Sequence, residues 1–333
     1  MKNRSNILAQ LLLCLTLICL AACDGTKKPQ QPTEDYTAVA PDFNADSAYA
    51  YVARQCEFGP RIMGSEAHEQ CGAWLAEKFK SLGATVVEQH ATFTLYDGSR
   101  VGGMNIIASY LPEAQDRIIV CSHWDSRPWA DHDADEAKHR TPIDGANDGA
   151  SGVGILIELA RMMQQAPPKV GIDLICFDAE DCGTPQWAKT DSNDEHTWCL
   201  GSQYWAGQHH AEGYTANCGI LLDMVGGSGT HFCKEGFSMR YAPQLCDQLW
   251  SIAHKLGHGS YFSYDEGGWV TDDHLPLNRC GIPCIDIIGS DKQDGGFATT
   301  WHTQHDNIQN IDRNILKAVG STVAEMIWTA TPI

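Results

Sequence analysis

The 333-residue chain is 43% hydrophobic and 20% charged with a formal net charge of -19, which marks a globular protein with a sizeable core and excludes a disordered or fibrous one. No dense Lys/Arg cluster follows the N-terminus, so nucleic acid is excluded as a partner, because phosphate neutralisation needs a basic face. An acidic enzyme acting on small or peptide substrates fits.

At the N-terminus, Lys2 and Arg4 precede an apolar run over residues 7–22 that is short for a membrane span and ends in Leu20-Ala21-Ala22-Cys23. Small residues directly before a cysteine resemble the lipobox of bacterial lipoproteins. That resemblance implies removal of residues 1–22, lipidation of Cys23, export, and a membrane anchor on the periplasmic side. Residues 23–42, with a Lys-Lys-Pro-Gln-Gln-Pro run, read as a flexible tether. A single catalytic domain is expected over 43–333.

From residue 43 the apolar spacing is helical over 47–55 and 65–82, the second segment with Ser65 as N-cap and Gly83 at its close. Residues 84–95 and 104–110 read as strands joined through an Asp97-Gly98 turn. A strand over 117–122 leads into His123-Trp124-Asp125, a polar loop 126–148 and a helix over 151–163. Strands at 172–177, 220–224 and 282–288 and helices at 244–256 and 311–328 complete the pattern. This alternation predicts an α/β fold whose sheet is largely parallel in its middle, with functional groups at the strands' C-terminal edge.

Cysteine usage adds little chemistry. Eleven of the 14 cysteines lie beyond Cys23, so at least one stays unpaired, and Cys121, Cys176 and Cys284 sit in apolar runs as small buried hydrophobes. Cys182 and Cys199 flank the polar excursion 184–198 and are candidates for a disulfide. No CxxC pairing exists that would build a structural zinc site.

The strand at 172–177 runs into three acids within four positions, Asp178, Glu180 and Asp181. Crowded carboxylates repel unless a cation or proton relieves them, which makes a metal or acid/base site. Further along, His123 and Asp125, Asp148, Asp223 and His302 each follow a strand or lie in a loop that such a sheet brings to the same edge. A zinc site needs three or four donors from separate elements.

Five segments together resemble the zinc-dependent aminopeptidase and glutaminyl-cyclase superfamily, the M28 clan of metallopeptidases. They are Cys121-Ser-His-Trp-Asp-Ser126, Gly145-Ala-Asn-Asp-Gly-Ala-Ser-Gly152, Phe177-Asp-Ala-Glu-Asp181, Leu221-Leu-Asp-Met-Val-Gly226 and Trp301-His-Thr-Gln-His-Asp306. The resemblance covers residues 43–333 and implies a three-layer α/β/α architecture, aminopeptidase-like (zinc exopeptidase), with a mixed, centrally parallel sheet.

Two chemistries occur in that superfamily. For an aminopeptidase the resemblance implies two zinc ions, one on His123, Asp148 and Asp223 and one on Asp148, Asp181 and His302. For a glutaminyl cyclase it implies a single zinc on Asp148, Asp181 and His302. Trp301, the Asp272-Asp273-His274 triplet and Trp187 resemble the cyclases, whose pocket for a glutaminyl side chain is walled by tryptophan. The expectation is therefore a glutaminyl-peptide cyclotransferase, a monomer acting on peptides with N-terminal glutamine. Glu180 is its acid/base, Asp272 and Asp223 support that group, and Trp187 and Trp301 bind substrate. One departure stands: Glu180-Asp181 replaces the family's Glu-Glu.

Overall fold

Among the described residues, eight strands form: β1 (Thr85–Thr94), β2 (Arg100–Tyr110), β3 (Arg117–His123), β4 (Gly171–Phe177), β5 (Cys218–Asp223), β6 (Phe232–Lys234), β7 (Phe262–Glu266) and β8 (Cys284–Ile288). The computed structural model describes residues 36–190, 194–291 and 296–332. The expected signal segment, the lipidation site Cys23 and most of the tether lie outside the described residues.

Six strands make one sheet in the order β1-β2-β4-β3-β5-β8, while β6 and β7 pair separately in parallel. The β1–β2 and β2–β4 pairs are antiparallel and the β4–β3, β3–β5 and β5–β8 pairs parallel. This is the expected mixed sheet with a parallel middle. Gly98, in a left-handed conformation at φ 82°, makes the β1–β2 turn at the predicted place.

Among the described residues, eight α-helices accompany the strands: α1 (Ala45–Glu57), α2 (Glu66–Ser81), α3 (Ala150–Gln165), α4 (Leu200–Gly207), α5 (Gly236–Tyr241), α6 (Pro243–Lys255), α7 (His274–Arg279) and α8 (Arg313–Thr329). Side chains alternate across the central strands and so feed two cores. On β3, Ile118 and Val120 join Val52 of α1, Leu156 of α3 and Val319 of α8 on one face. Ile119 and Cys121 meet Trp205 of α4 and Leu277 of α7 on the other. Both faces are covered, which is why β3 and β4 are buried along their whole length and read as largely apolar, with Asp173 of β4 held in a buried two-point pair by Arg117 of β3 at 2.7 Å.

Asn44 and Ser65 cap α1 and α2 by accepting from the amides of Ser47 and His68. The compact unit begins at Ala38, earlier than the expected 43, because the Val39 and Ala40 amides donate to Glu325 of α8 at 2.9–3.0 Å. Five short elements, β6, β7, α4, α5 and α7, escaped the sequence reading. None is long enough for a periodicity to register.

Candidate active site

Four parallel strands end on one edge of the sheet, and the turns leaving them carry the chemistry. His123 is the last residue of β3, Asp223 the last of β5, and Glu180 and Asp181 follow β4. The backbone is bent hard to aim them: Ala179, Cys199, Met224 and His302 all take φ between 50° and 56°. Left-handed non-glycine residues cost on the order of 1 kcal/mol or more each and gather at functional sites. Gly149 serves close packing instead, since a Cβ there would lie 2.5 Å from His123 Nε2.

Asp148, Asp181 and His302 converge, each offering a ligand atom within 4.8 Å of the others. His302 Nε2 lies 3.1 Å from Asp181 Oδ1 and 3.6 Å from Asp148 Oδ2. A second group, His123, Asp148 and Asp223, meets the same criterion through the shared Asp148, with His123 Nε2 at 3.0 Å from Asp148 and 3.4 Å from Asp223. Asp148 Oδ2 and Asp181 Oδ2 are buried without a hydrogen-bond partner. A buried carboxylate oxygen left unpaired is costly, and one imidazole with two carboxylates is a donor set that suits a divalent cation. The residues present therefore fit a metal.

Neighbouring groups hold the donors. Asp306 accepts from the amides of Asn147 and Asp148 at 2.7 and 3.1 Å, and Asp125 accepts from those of Glu180 and Asp181, both at 3.1 Å. Asp125 also faces His123 Nδ1 at 3.4 Å, orienting that ring. Buried Arg127 forks onto Asp131 at 2.7 and 2.9 Å and reaches Asp181 Oδ1 at 3.5 Å, while Asp131 faces His302 Nδ1 at 3.5 Å. Sequence reasoning missed Arg127 and Asp131, which lay inside an expected polar loop where burial has no periodic signature.

Glu180 stands apart from both donor groups. It clusters with Asp272 and Cys199, and Asp272 Oδ2 is buried beside it without a hydrogen-bond partner. Burial pushes Glu180 and Asp272 well above the carboxylate range; His123 opposes this at Glu180, while neighbouring acids add to it at both. Burial also raises Asp181, to about 6, against the pull of His302. Burial alone would lower His123, but Asp125, Asp148 and Asp223 bind its protonated form and raise it well above the usual histidine value.

The other predicted residues divide. Asp273 accepts from Ser202 at 2.5 Å, and His274 faces Glu235 at 3.2 Å. Asp178, first of the three crowded acids, points away to His68 at 2.9 Å and to the Met104 and Ala179 amides. Trp301 lines the pocket of about 60 Å³ over Glu180 and Asp272, with its ring 3.8 Å from that of His302. Trp187 does not line it: 37% exposed, it packs edge-on against Trp129 and beneath Arg140. Trp198 forms that wall instead, parallel to His302 at 6.2 Å. Cys182 and Cys199 are both free; the first thiol turns to Ala179 O and the second to Glu180, so this candidate pair is not joined.

Comparison with known proteins agrees with this geometry. Residues 105–327 match the model of peptidase family M28. The chain is 52% identical to a solved glutaminyl cyclase of Bacteroides thetaiotaomicron bound to N-acetylhistamine, with a TM-score of 0.86, covering 88% of this chain and 100% of that one. It is 51% identical to a solved leucine aminopeptidase precursor from Bacteroides thetaiotaomicron VPI-5482, with a TM-score of 0.85, covering 89% and 100%. It is also 28% identical to a glutaminyl-peptide cyclotransferase of Bos taurus, over 64% of this chain and 62% of that one. The chain spans 49% and 62% of the lengths of the first two curated relatives it matches.

Proposed function

The chain belongs to peptidase family M28, and on that premise we propose that it is a glutaminyl-peptide cyclotransferase, closing the N-terminal glutamine of peptides to pyroglutamate with release of ammonia. The observation that carries this reading is Glu180, free of both donor groups, in a small pocket walled by Trp198 and Trp301 directly beside the Asp148–Asp181–His302 set. Such a pocket holds a flat amide by its faces. Asp148, Asp181 and His302 would hold the zinc, which would supply Lewis acidity toward the substrate amide.

The remaining work falls to side chains. With the glutaminyl amide between the tryptophans, the substrate's own α-amine reaches the amide carbon; a C–N bond forms in the ring as the bond to the amide nitrogen breaks. Glu180 takes the proton from the attacking amine and hands it to the departing ammonia. Asp272 shares a hydrogen bond with Glu180, and Asp223 joins that network or binds the neutral α-amine. Nucleophile and leaving group share one residue, so orientation is the main contribution.

An aminopeptidase reading keeps one specific support, the second donor group of His123, Asp148 and Asp223. Zinc per chain by elemental analysis separates the two, near one for the cyclase and near two for the peptidase. The direct test is to incubate the enzyme with a glutaminyl and an alanyl peptide. Ammonia from the first supports the cyclase; a free amino acid from the second, without ammonia from the first, overturns it. For the whole chain we infer a monomeric lipoprotein exported to the periplasmic side and anchored through Cys23. Loss of lipid labelling and of membrane association in Cys23→Ala tests that.

A further inference from the structure

A second cavity, of about 340 Å³, adjoins the catalytic pocket of about 60 Å³, and Val270, Ile288 and Phe297 line both. The small pocket has room for one side chain. The larger one begins at their shared apolar wall and runs past the end of β7, where Glu266 is exposed and the Gly267-Gly268 backbone forms the rim. Its other carboxylate, Glu235, is already committed to the Phe237, Ser238 and Val270 amides. Gly267 N and Gly268 O are likewise bonded, to Lys234 O and Gly236 N. Among the described residues, what remains for a ligand is an apolar wall and, at the rim, the exposed carboxylate of Glu266.

We propose that this cavity is the subsite for the residues that follow the N-terminal glutamine, taking an apolar second side chain against Val270, Ile288 and Phe297 and a basic third side chain at Glu266. The orientation rests on the cyclase reading: a glutamine side chain directed at Asp148, Asp181 and His302 leaves the rest of the peptide to exit along the shared wall. An extended chain advances about 3.3–3.6 Å per residue, so successive side chains reach first the wall and then the rim. A volume of this size lies at the lower end of cavities that bind small ligands. The strongly acidic chain adds a general attraction for cationic peptides.

Wild type, Glu266→Lys and Gly268→Phe are compared on glutamine amide, Gln-Leu-Lys and Gln-Leu-Glu. A Cβ at Gly268 meets nothing within 4 Å, so the phenylalanine enters open space. Wild type is expected to prefer Gln-Leu-Lys over Gln-Leu-Glu by about threefold to fivefold in kcat/KM, the size of a solvent-exposed ion pair. Glu266→Lys should reverse that order. Gly268→Phe should lower the ratio of either tripeptide to glutamine amide by about tenfold, as lost apolar burial implies. Equilibrium binding of Gln-Leu-Lys is titrated in parallel for all three proteins. Ratios and binding that do not change among them overturn the subsite. Absence of ammonia from wild type overturns the cyclase reading, while the binding titrations still decide the subsite.

Discussion

Cys199 and Glu180 are joined twice: the Cys199 amide donates to Glu180 O at 3.1 Å, and its thiol donates to Glu180 Oε1 at 3.4 Å. The left-handed backbone of Cys199, φ 56°, brings both donors to one residue. Replacement by alanine removes one weak hydrogen bond, about 1 kcal/mol, and should lower kcat about fivefold with KM and metal content unchanged. Cys199→Ser should restore most of the rate. A shift in KM alone, or no rescue by serine, would assign Cys199 to packing.

Glu180→Gln should reduce turnover by about 10²–10⁴-fold, the usual worth of a positioned acid/base, while retaining bound metal. His302→Ala should instead lose metal, because Asp148 and Asp181 alone leave an incomplete donor set. Elemental analysis beside an ammonia assay separates the two effects. Near wild-type cyclisation by the glutamine variant would remove Glu180 from the mechanism.

Arg127 and Asp131 touch the donors without joining the Asp148–Asp181–His302 group. Asp131→Ala should weaken metal binding by about 10–100-fold, as loss of a ligand's supporting partner does. Chelator competition measures this directly. The variant also leaves the guanidinium of Arg127 buried without its bidentate partner, so its thermal midpoint should fall as well.

Away from the metal donors, Glu235 supplies a pH test of stability. Burial alone would raise it, but His274 and the Phe237 and Ser238 amides hold it at about 2, below its usual 4.5. A depressed carboxylate contributes stability above its unfolded value and loses it as the pH falls through the folded one. Between pH 4.5 and 2, wild type should lose about 3 kcal/mol that Glu235→Gln does not. Urea midpoints for both proteins over this range check it. Parallel pH profiles would show that Glu235 is not held as described.

Much of this protein is legible in one dimension. Strands covered on both faces are apolar along most of their length, so the runs 118–121, 174–177 and 220–222 announce β3, β4 and β5, and capping side chains such as Ser65 mark helix starts because orphan amides need acceptors. Asp148, Asp181 and His302 were readable as candidates at a parallel sheet's C-terminal edge, while their selection as one ligand set came from the resemblance to the M28 clan.

Only the tertiary structure decided which way neighbouring side chains face. Asp178, Glu180 and Asp181 look alike in sequence, yet the left-handed turn at Ala179 sends Asp178 to His68 and its successors to the site. Trp198, not Trp187, walls the pocket, and Arg127 with Asp131 is buried beneath it, because an irregular loop has no period from which burial can be inferred. Composition and spacing determine which elements form and where they end; the direction of a side chain beyond a strand depends on backbone angles that distant packing selects.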